Sequence, residues 1–422
     1  MLQALRAAER GLRIEPVTVP VLSRRRLSVA ARLQSEEASS SSSDKPEDPP
    51  VPRAIGYWLL AIGGMVYVMV VLGGVTRLTE SGLSMVDWKL LGRKLPSSDD
   101  EWNEEFDKYK QFPEYQLKHY NISLQEYKFI YFMEWFHRMW GRAIGVAFAV
   151  PFMVFGVRGM VSRSMFKKLA VAMGMGGCQG LVGWYMVKSG LEKPKEEGQE
   201  VHVSPYRLCM HLTSAFIIYS YVMWLAMSVL RPRPSALASS PARGIKKLAH
   251  AAAGVLGITI VSGKATLSSV MLWCILNQLQ TPSLTLAPGA FVAGNRAGVC
   301  FPEWPLMGDS FIPPHMWDIV PAWRNIFENK ATVHFDHRCL AYTTYVLGMA
   351  TVIRGLKSLS HLPAATRPAL YLVLGFLNLQ VFLGIYTVQS HVAIPVAATH
   401  QAGSMALLTC LLYLMHTLRL VR

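Results

Sequence analysis

The sequence predicts an all-α membrane protein whose eight transmembrane helices form two pseudo-symmetric four-helix bundles. Three observations lead to this fold class. Hydrophobic residues make up 51% of the 422 positions and recur in long apolar stretches. Basic residues concentrate in alternate short loops, as they do in polytopic membrane proteins. The second half of the chain repeats motifs of the first half in the same order, which indicates an internal duplication.

Two short segments precede the first apolar stretch. Residues 1–35 carry seven arginines but only two acidic residues, and they lack the continuous apolar core of a secretory signal. They predict a mitochondrial transit peptide, with a disordered basic tail as the alternative. Residues 36–53 form a linker rich in serine and proline.

Eight apolar stretches then follow, each long enough, or nearly so, to span a hydrocarbon core of about 30 Å. The sixth reaches this length only if it includes the polar VHFDHR segment before it. We place the first bundle at 54–232 and the second at 233–422. The stretches lie near residues 56–74, 129–156, 169–187, 208–230, 249–276, 340–353, 369–388 and 396–418.

Charge alternates between the loops. Three loops carry basic residues and no acid, whereas the intervening loops mix both signs. The positive-inside rule therefore places both termini on the basic side, which is the matrix if the chain is imported into mitochondria. The net charge of +15 follows from this pattern and from the basic N-terminus, so we expect no nucleic-acid binding. The basic loop residues are Arg158, Arg163, Lys167, Lys168, Arg231, Arg233, Arg243, Lys246, Lys247, Arg354, Lys357 and Arg367.

The internal repeat can be followed residue by residue. Each half is predicted to contain a turn-rich connecting loop after its first helix, and then histidines on its second and fourth helices. A single matching Gly or Trp is common by chance, but several in one register are not. Gly73, Gly82, Asp87 and Trp88 match Gly289, Gly298, Glu303 and Trp304 without a gap, while His137 matches His337 and His211 matches His400.

Four histidines, His137, His211, His337 and His400, lie a few residues inside apolar segments, all near the side opposite the basic loops. An imidazole in a bilayer is costly without a partner, so such residues indicate function. Two facing pairs suit two haem irons with two axial ligands each. A proton relay, a quinone contact and copper ligation are the alternatives. The six cysteines show no metal-binding spacing and are interpreted as structural.

The two halves differ beside the first histidine. Glu134 lies three residues before His137 and shares its helical face, whereas the matching residue of the second half is His334. Glu134 is a candidate acid, base or charge stabiliser, and its alternative role is to orient the histidine ring. Arg138, Arg142 and Arg338 could hold haem propionates, or pair with carboxylates or lipid phosphate. The difference suggests one reactive site and one electron-transfer site.

These motifs resemble the mitochondrial type of the haem A synthase family from about residue 54 to the C-terminus. The matching segments are GGVTRLTESGLSMVDW (73–88), EWFHRMWGR (134–142), HLTSA (211–215), GAFVAG (289–294), WPLMG (304–308), FENKATVHFDHR (327–338) and THQAGSMALL (399–408). The resemblance implies oxidation of the C8 methyl group of haem O to the formyl group of haem A, for cytochrome c oxidase. It implies Glu134 as the catalytic residue, His137 and His211 as ligands of the substrate haem, and His337 and His400 as ligands of haem b.

The resemblance also implies an environment and partners. The chain is expected in the lipid of the mitochondrial inner membrane, with the histidine ligands towards the intermembrane space. Haem O synthase and an electron-transfer system such as a ferredoxin are the implied partners, together with cytochrome c oxidase assembly. The sequence leaves open whether a homo-oligomer forms. The competing functions are a bis-histidine b-type cytochrome that only transfers electrons and an assembly scaffold that needs no histidines.

One segment departs from the family pattern. In the family the GITIVSG segment runs directly into GAFVAG, whereas here residues 264–289 stand between them. We interpret this insertion as retained intron sequence, which transcript sequencing would test. If the insertion is translated, it is expected to weaken haem binding in the second half.

Overall fold

A computed structural model describes residues 51–89, 91–192, 201–231, 240–261 and 288–420. The predicted transit peptide, most of the linker and residues 264–287 of the insertion lie outside these ranges. Within them the chain forms helices, turns and one isolated β-bridge between Met307 and Ser310. The prediction of an all-α protein is therefore confirmed.

The long helices overlap the predicted apolar stretches, although the fifth stretch, 249–276, lies outside the described residues beyond Val261, and the count of eight spans stays a prediction. Eight of the described helices are 22 to 34 residues long, and α1, α4, α6, α10 and α11 are apolar enough to cross a membrane by length and composition. The sixth long helix, α10, includes the VHFDHR segment as expected. The helices are α1 Arg53–Leu78, α2 Asp99–Lys110, α3 Pro113–Leu117, α4 Leu124–Val157, α5 Arg163–Leu191, α6 Pro205–Leu230, α7 Ser240–Val261, α8 Pro288–Gly294, α9 Asn325–Glu328, α10 Lys330–Lys357, α11 Thr366–Gln389 and α12 Ile394–Thr417.

Local signals set the beginnings of the four helices that carry the histidines. Ser123 and Glu126 form a capping box at the start of α4, which satisfies backbone N–H groups that the first turn leaves free. The side chain of Asn329 caps α10 in the same way. Proline stands in the first turn of α6 and of α12, where its missing N–H costs nothing.

The long helices pack in the same order in each half of the chain. In the first half, α1 and α5 each pack against α4 and α6, and in the second half α7 and α11 each pack against α10 and α12. It follows that α4 and α6 lie diagonally across one four-helix group, and α10 and α12 across the other. The groups meet where α12 packs against α1 and α6, and Tyr67 Oη donates to the Ala402 carbonyl there at 2.7 Å.

A helical cap, which comprises α2 and α3, covers one end of the first group. Its apolar side chains Phe106 and Tyr109 pack with Tyr127 and Tyr131 of α4, and the rings of Phe106 and Tyr127 stack at 4.8 Å. In the second half, the short helix α8 packs against α6, α7 and α10. The described residues between α8 and α10 form turns, two short 3₁₀ helices and the four-residue α9, so they show no counterpart of the 12-residue helix α2.

Candidate functional site

The four candidate histidines lie on the diagonal helices of the two groups. His137 is on α4 and His211 on α6, while His337 is on α10 and His400 on α12. His137 and His211 thus lie in one four-helix group, and His337 and His400 lie in the other. That the two rings of each group hold one iron stays a prediction.

Glycines on neighbouring helices give three of these rings their room. A Cβ atom on Gly73 of α1 would lie 3.0 Å from His137 Cε1. A Cβ atom on Gly183 of α5 would lie 2.9 Å from His211 Cε1. A Cβ atom on Gly384 of α11 would lie 3.0 Å from His400 Cε1. Real Cβ contacts are rarely this short, so any larger residue would displace the ring.

Two glutamines hold the histidines of the fourth helices. Gln179 Nε2 lies 3.2 Å from His211 Nδ1 and donates to the His211 carbonyl at 2.8 Å. Gln380 Nε2 lies 3.1 Å from His400 Nδ1 and donates to the His400 carbonyl at 3.0 Å. The same contact thus occurs once in each half.

The other two histidines have polar atoms without partners. Nδ1 of His137 and Nδ1 of His337 are buried and make no hydrogen bond within the described ranges, although the His337 ring approaches the backbone of Thr259. Buried polar atoms of this kind usually have a partner. Paired imidazoles with glycine-lined room and orphaned nitrogens fit the axial ligand set of a haem.

A metal ion held by protein alone fits less well. The part of the chain that the structure describes contains no group of three or more His, Cys, Asp or Glu side chains able to hold a metal. Two imidazoles leave most of the coordination sphere of copper unfilled. A porphyrin fills the remaining positions with its own nitrogens, so haem is favoured over the copper alternative.

Two arginines fasten the connecting loops to the ligand-bearing helices. Arg138 donates to the carbonyls of Met85 and Asp87 at 3.0 Å each. Arg338 donates to Phe301 at 3.0 Å and to Glu303 at 2.9 Å. These acceptors occupy the same positions in the repeat. Both arginines are therefore engaged with loop backbone, which sequence reasoning did not anticipate, whereas Arg138 also pairs with the Glu134 carboxylate, which was one of its predicted partners.

Glu134 is almost fully buried, with 2% of its surface exposed. Its Oε2 accepts from Ser84 Oγ and from the Met85 amide at 2.8 Å each, and its Oε1 accepts from Arg138 Nη2 at 2.5 Å. Donors of this number and charge stabilise a carboxylate anion. They come from the loop and from Arg138 rather than from the His137 ring, so the ring-orienting alternative finds no support here.

The matching position in the second half carries no carboxylate. His334 is buried there, and its Nε2 accepts from Arg338 Nε at 3.2 Å. An arginine and a loop thus surround each position, but only the first half places a negative charge among them. The predicted difference between the halves is present in the geometry.

The helical cap contains a second buried carboxyl group. Glu114 is 4% exposed, and its Oε2 accepts from Tyr109 Oη at 3.0 Å. Burial raises the pKa of Glu114 to about 7 and lowers the pKa of His119, whose Nδ1 lies 2.8 Å from Tyr109 Oη. This cluster lies in the cap rather than at the histidine rings, and Glu134 is close enough to Glu114 to contribute to its raised pKa.

Sequence reasoning missed Gln179, Gln380, Gly183 and Gly384. In both halves a glutamine precedes a glycine by four residues on the third long helix, so an extension of the internal repeat would have shown the pattern. The pattern does not show that Gln179 contacts His211, 32 residues later, or that Gln380 contacts His400, 20 residues later.

Comparisons with known proteins place the chain in one family. A family model described as "Cytochrome oxidase assembly protein" (COX15-CtaA) matches residues 56–275 and 266–412. The heme A synthase COX15 of Arabidopsis thaliana is 42% identical over 94% of this chain and 81% of its own length. The human protein of that name is 41% identical over 87% and 83%, and the heme A synthase of Rhodospirillum centenum 42% over 87% and 89%. No solved structure matches the chain.

Proposed function

The chain belongs to the COX15-CtaA family of cytochrome oxidase assembly proteins, and we propose that it is a haem A synthase of the mitochondrial inner membrane. It acts in haem A biosynthesis for cytochrome oxidase. The observation that carries this proposal is the coexistence of two pairs of half-buried imidazoles on diagonal helices with a buried carboxylate, Glu134, beside only one of them. The names of the relatives support an enzyme over a cytochrome that only transfers electrons.

The reaction that we propose is oxidation of the C8 methyl group of haem O to the formyl group of haem A. Haem O is then the substrate of the first half, where His137 and His211 hold its iron. The substrate is a macrocycle with a long isoprenoid tail, so a lipid-embedded bundle can bury it away from water. The conversion adds one oxygen atom and removes four electrons. With water as the oxygen source, two successive two-electron oxidations would release four protons and pass the electrons to an electron-transfer partner.

Glu134 would stabilise positive charge that develops on the substrate and would not bind the iron. Removal of electrons from a ring methyl group develops positive charge beside the macrocycle. A fixed carboxylate stabilises that charge, and it does so more strongly in a site of low dielectric than in water. The bonds from Ser84, Met85 and Arg138 hold the Glu134 carboxylate in place before the reaction begins.

The second half would serve electron transfer. A haem b held by His337 and His400 supplies a one-electron carrier when it is bound. The protein's part is to place the two imidazoles on diagonal helices, with Gly384 leaving room for one ring. His334 replaces the carboxylate of the first half, so this site lacks the charge stabiliser that we assign to the reaction.

The membrane arrangement is also a proposal in its finer parts. Eight spans in two duplicated bundles would place both termini in the matrix and the histidines towards the intermembrane space. The shared packing order of the two groups supports duplication. A second observation supports duplication. The matching residues of the repeat, Glu80 and Arg296, both have positive φ angles, 55° and 53°. They also form an ion pair with each other. Haem O synthase and a ferredoxin system remain the proposed partners.

The insertion lies between α7 and α8, mostly outside the described residues. The described part of α7 ends at Val261, and α8 supplies Gly289–Gly294, which match the end of α1 in the repeat. The two pieces of the family match, 56–275 and 266–412, overlap within the insertion and together cover it. The position of α8 is therefore the observation that supports the proposal that residues 264–289 are foreign to the family pattern.

Glu134→Gln tests the assignment of the reaction. Glutamine keeps the size of the side chain but removes its charge, so haem A formation is expected to fall about 100-fold or more. The absorbance spectra of both haems should remain. Pigment extracted from cells that co-express a haem O synthase measures the product.

Glu114→Gln is the matched control, because Glu114 is a buried carboxyl group of the helical cap and not of the histidine sites. It should leave haem A formation intact. Undiminished haem A from Glu134→Gln would favour the electron carrier and refute the proposed role.

A further inference from the structure

The second and third long helices of the second half close tightly against each other. A Cβ atom on Gly348 of α10 would lie 2.7 Å from Leu377 Cδ2 of α11, so Leu377 fills the space between the two helices. One residue further along α11, Asn378 Oδ1 accepts from Tyr345 Oη of α10 at 3.2 Å. We call this junction of α10 and α11 the second seam, and these side chains close it.

The matching junction of α4 and α5, the first seam, lacks these closing side chains. The register that aligns the ligand histidines and the ring-facing glycines of the two halves places a glycine at each position. These are Gly145 for Tyr345, Gly176 for Leu377 and Gly177 for Asn378. All three glycines are exposed, and a Cβ atom on any of them would meet no atom of the described residues within 4 Å. Small residues in membrane helices commonly let two helices approach closely, but here they leave a gap.

Aromatic pairs close the first seam at its two ends. Towards the basic loops, the rings of Phe152 of α4 and Phe166 of α5 lie 4.9 Å apart. Towards the iron site, the rings of Trp88 and Trp184 lie 6.4 Å apart. Trp88 belongs to the loop that is fastened to α4, and Trp184 of α5 follows the glycine that faces the His211 ring. The open part of the first seam therefore begins beside the proposed substrate site.

The matching tryptophan of the second half makes a different contact. Trp304 takes the place of Trp88, and its Nε1 donates to Tyr342 Oη of α10 at 3.2 Å. The loop of Trp304 is fastened to the same helix through Arg338, so this contact stays on one side of the second seam. The indole pair of the first half, in contrast, joins the two sides of a seam.

We propose that the first seam binds the isoprenoid tail of haem O, and that Tyr345 and Asn378 exclude such a tail from the second half. This inference rests on the proposed haem sites and deepens the proposed function. A macrocycle held by His137 and His211 at the centre of four helices can extend its tail to lipid only between two of them. Gly145 lies eight residues beyond His137, about 12 Å along α4, in the apolar part of the helix. Haem b has no such tail, so a closed seam suits it.

Closing the first seam tests the proposal. Gly145→Tyr combined with Gly177→Asn copies the closing pair into the purified full-length protein. The new side chains occupy the space of the tail, so the content of haem O and haem A should fall about 10-fold or more. Haem b should remain, which pigment extraction measures after co-expression with a haem O synthase. Gly64→Asn is the matched control, because Gly64 of α1 is also exposed and has no atom of the described residues within 4 Å of its Cβ position. This control should keep both haems, and undiminished haem O and haem A in the double variant would overturn the inference.

Opening the second seam gives an independent test that does not need the closed variant to fold. His211→Ala removes a ligand of the first site, so any haem with a tail must then lie in the second half. In this background, Tyr345→Ala with Asn378→Gly should let haem O replace haem b. A second half that still contains haem b alone would overturn the inference. Haem O in His211→Ala without the opening substitutions would instead refute the proposed place of the substrate.

Discussion

At the scale of single residues, glycine determines where the ligand rings can lie. The rings of His211 and His400 occupy space that any side chain on Gly183 or Gly384 would fill. Glycine within a helix costs up to about 1 kcal/mol relative to alanine. The space that the imidazole ring needs explains why glycine stands at these positions despite that cost.

Gly384→Ala should therefore weaken haem binding in the second half. The added methyl group meets the His400 ring and must displace it, which costs about 1–3 kcal/mol in overpacked sites. Haem b content of the purified protein, measured by pigment extraction, should fall. Gly375→Ala on the same helix meets no atom within 4 Å, so it should retain the haem, and equal losses from both variants would contradict this explanation.

Sequence reasoning identified the four histidines and Glu134 but not the partners of these residues. A histidine in an apolar segment is energetically costly and therefore stands out in the sequence. Glu134 can be found because it lies three residues before His137, on the same helical face. The bonds from Gln179 and Arg138 depend on how helices and loops lie against each other, which neither composition nor spacing specifies. For this reason the arginines were assigned several partners, and the structure shows loop carbonyls.

At the scale of elements, the helical cap is a feature of the first half for which the described residues of the second half show no counterpart. Its buried carboxyl group, Glu114, faces Tyr109, His119 and Lys118. The raised pKa means that the folded cap binds the Glu114 proton more tightly than the unfolded chain does. Stability from this group is therefore complete below about pH 4.5 and is lost as the pH rises through about 7.

Glu114→Gln should remove this dependence, because glutamine stays neutral. Relative to the unmodified protein, the variant cap should be more protected at about pH 8 than at about pH 5.5. Hydrogen exchange of the α2 and α3 amides measures the difference. A difference of the same size at both pH values would show that Glu114 does not titrate in this range.

The elements themselves were largely predictable, and their ends less so. Apolar stretches gave the positions of the long helices, and the polar VHFDHR segment was correctly included in α10. The helical cap was not predicted, because its sequence DDEWNEEFDKYK is acidic and reads as a solvated loop. Its stability comes from Phe106 and Tyr109 packing on α4, a tertiary effect.

At the scale of the whole molecule, one repeated framework supports two different sites. A single apolar core includes Ile55 and Leu59 of the first half and Leu407 and Leu411 of the second. The connecting loops are fastened by matching arginines, and the histidines by matching glutamines. Against this common framework, the difference at Glu134 and His334 is the local change that would separate a reactive site from an electron-transfer site.

The central claim is that each half grips one haem iron between two imidazoles, and haem content per chain measures it most directly. Purified protein should contain two haems, with haem b lost from His337→Ala or His400→Ala and haem O or haem A lost from His137→Ala or His211→Ala. Each variant should retain the other haem. A colourless protein, or haem content unchanged by all four substitutions, would contradict the account.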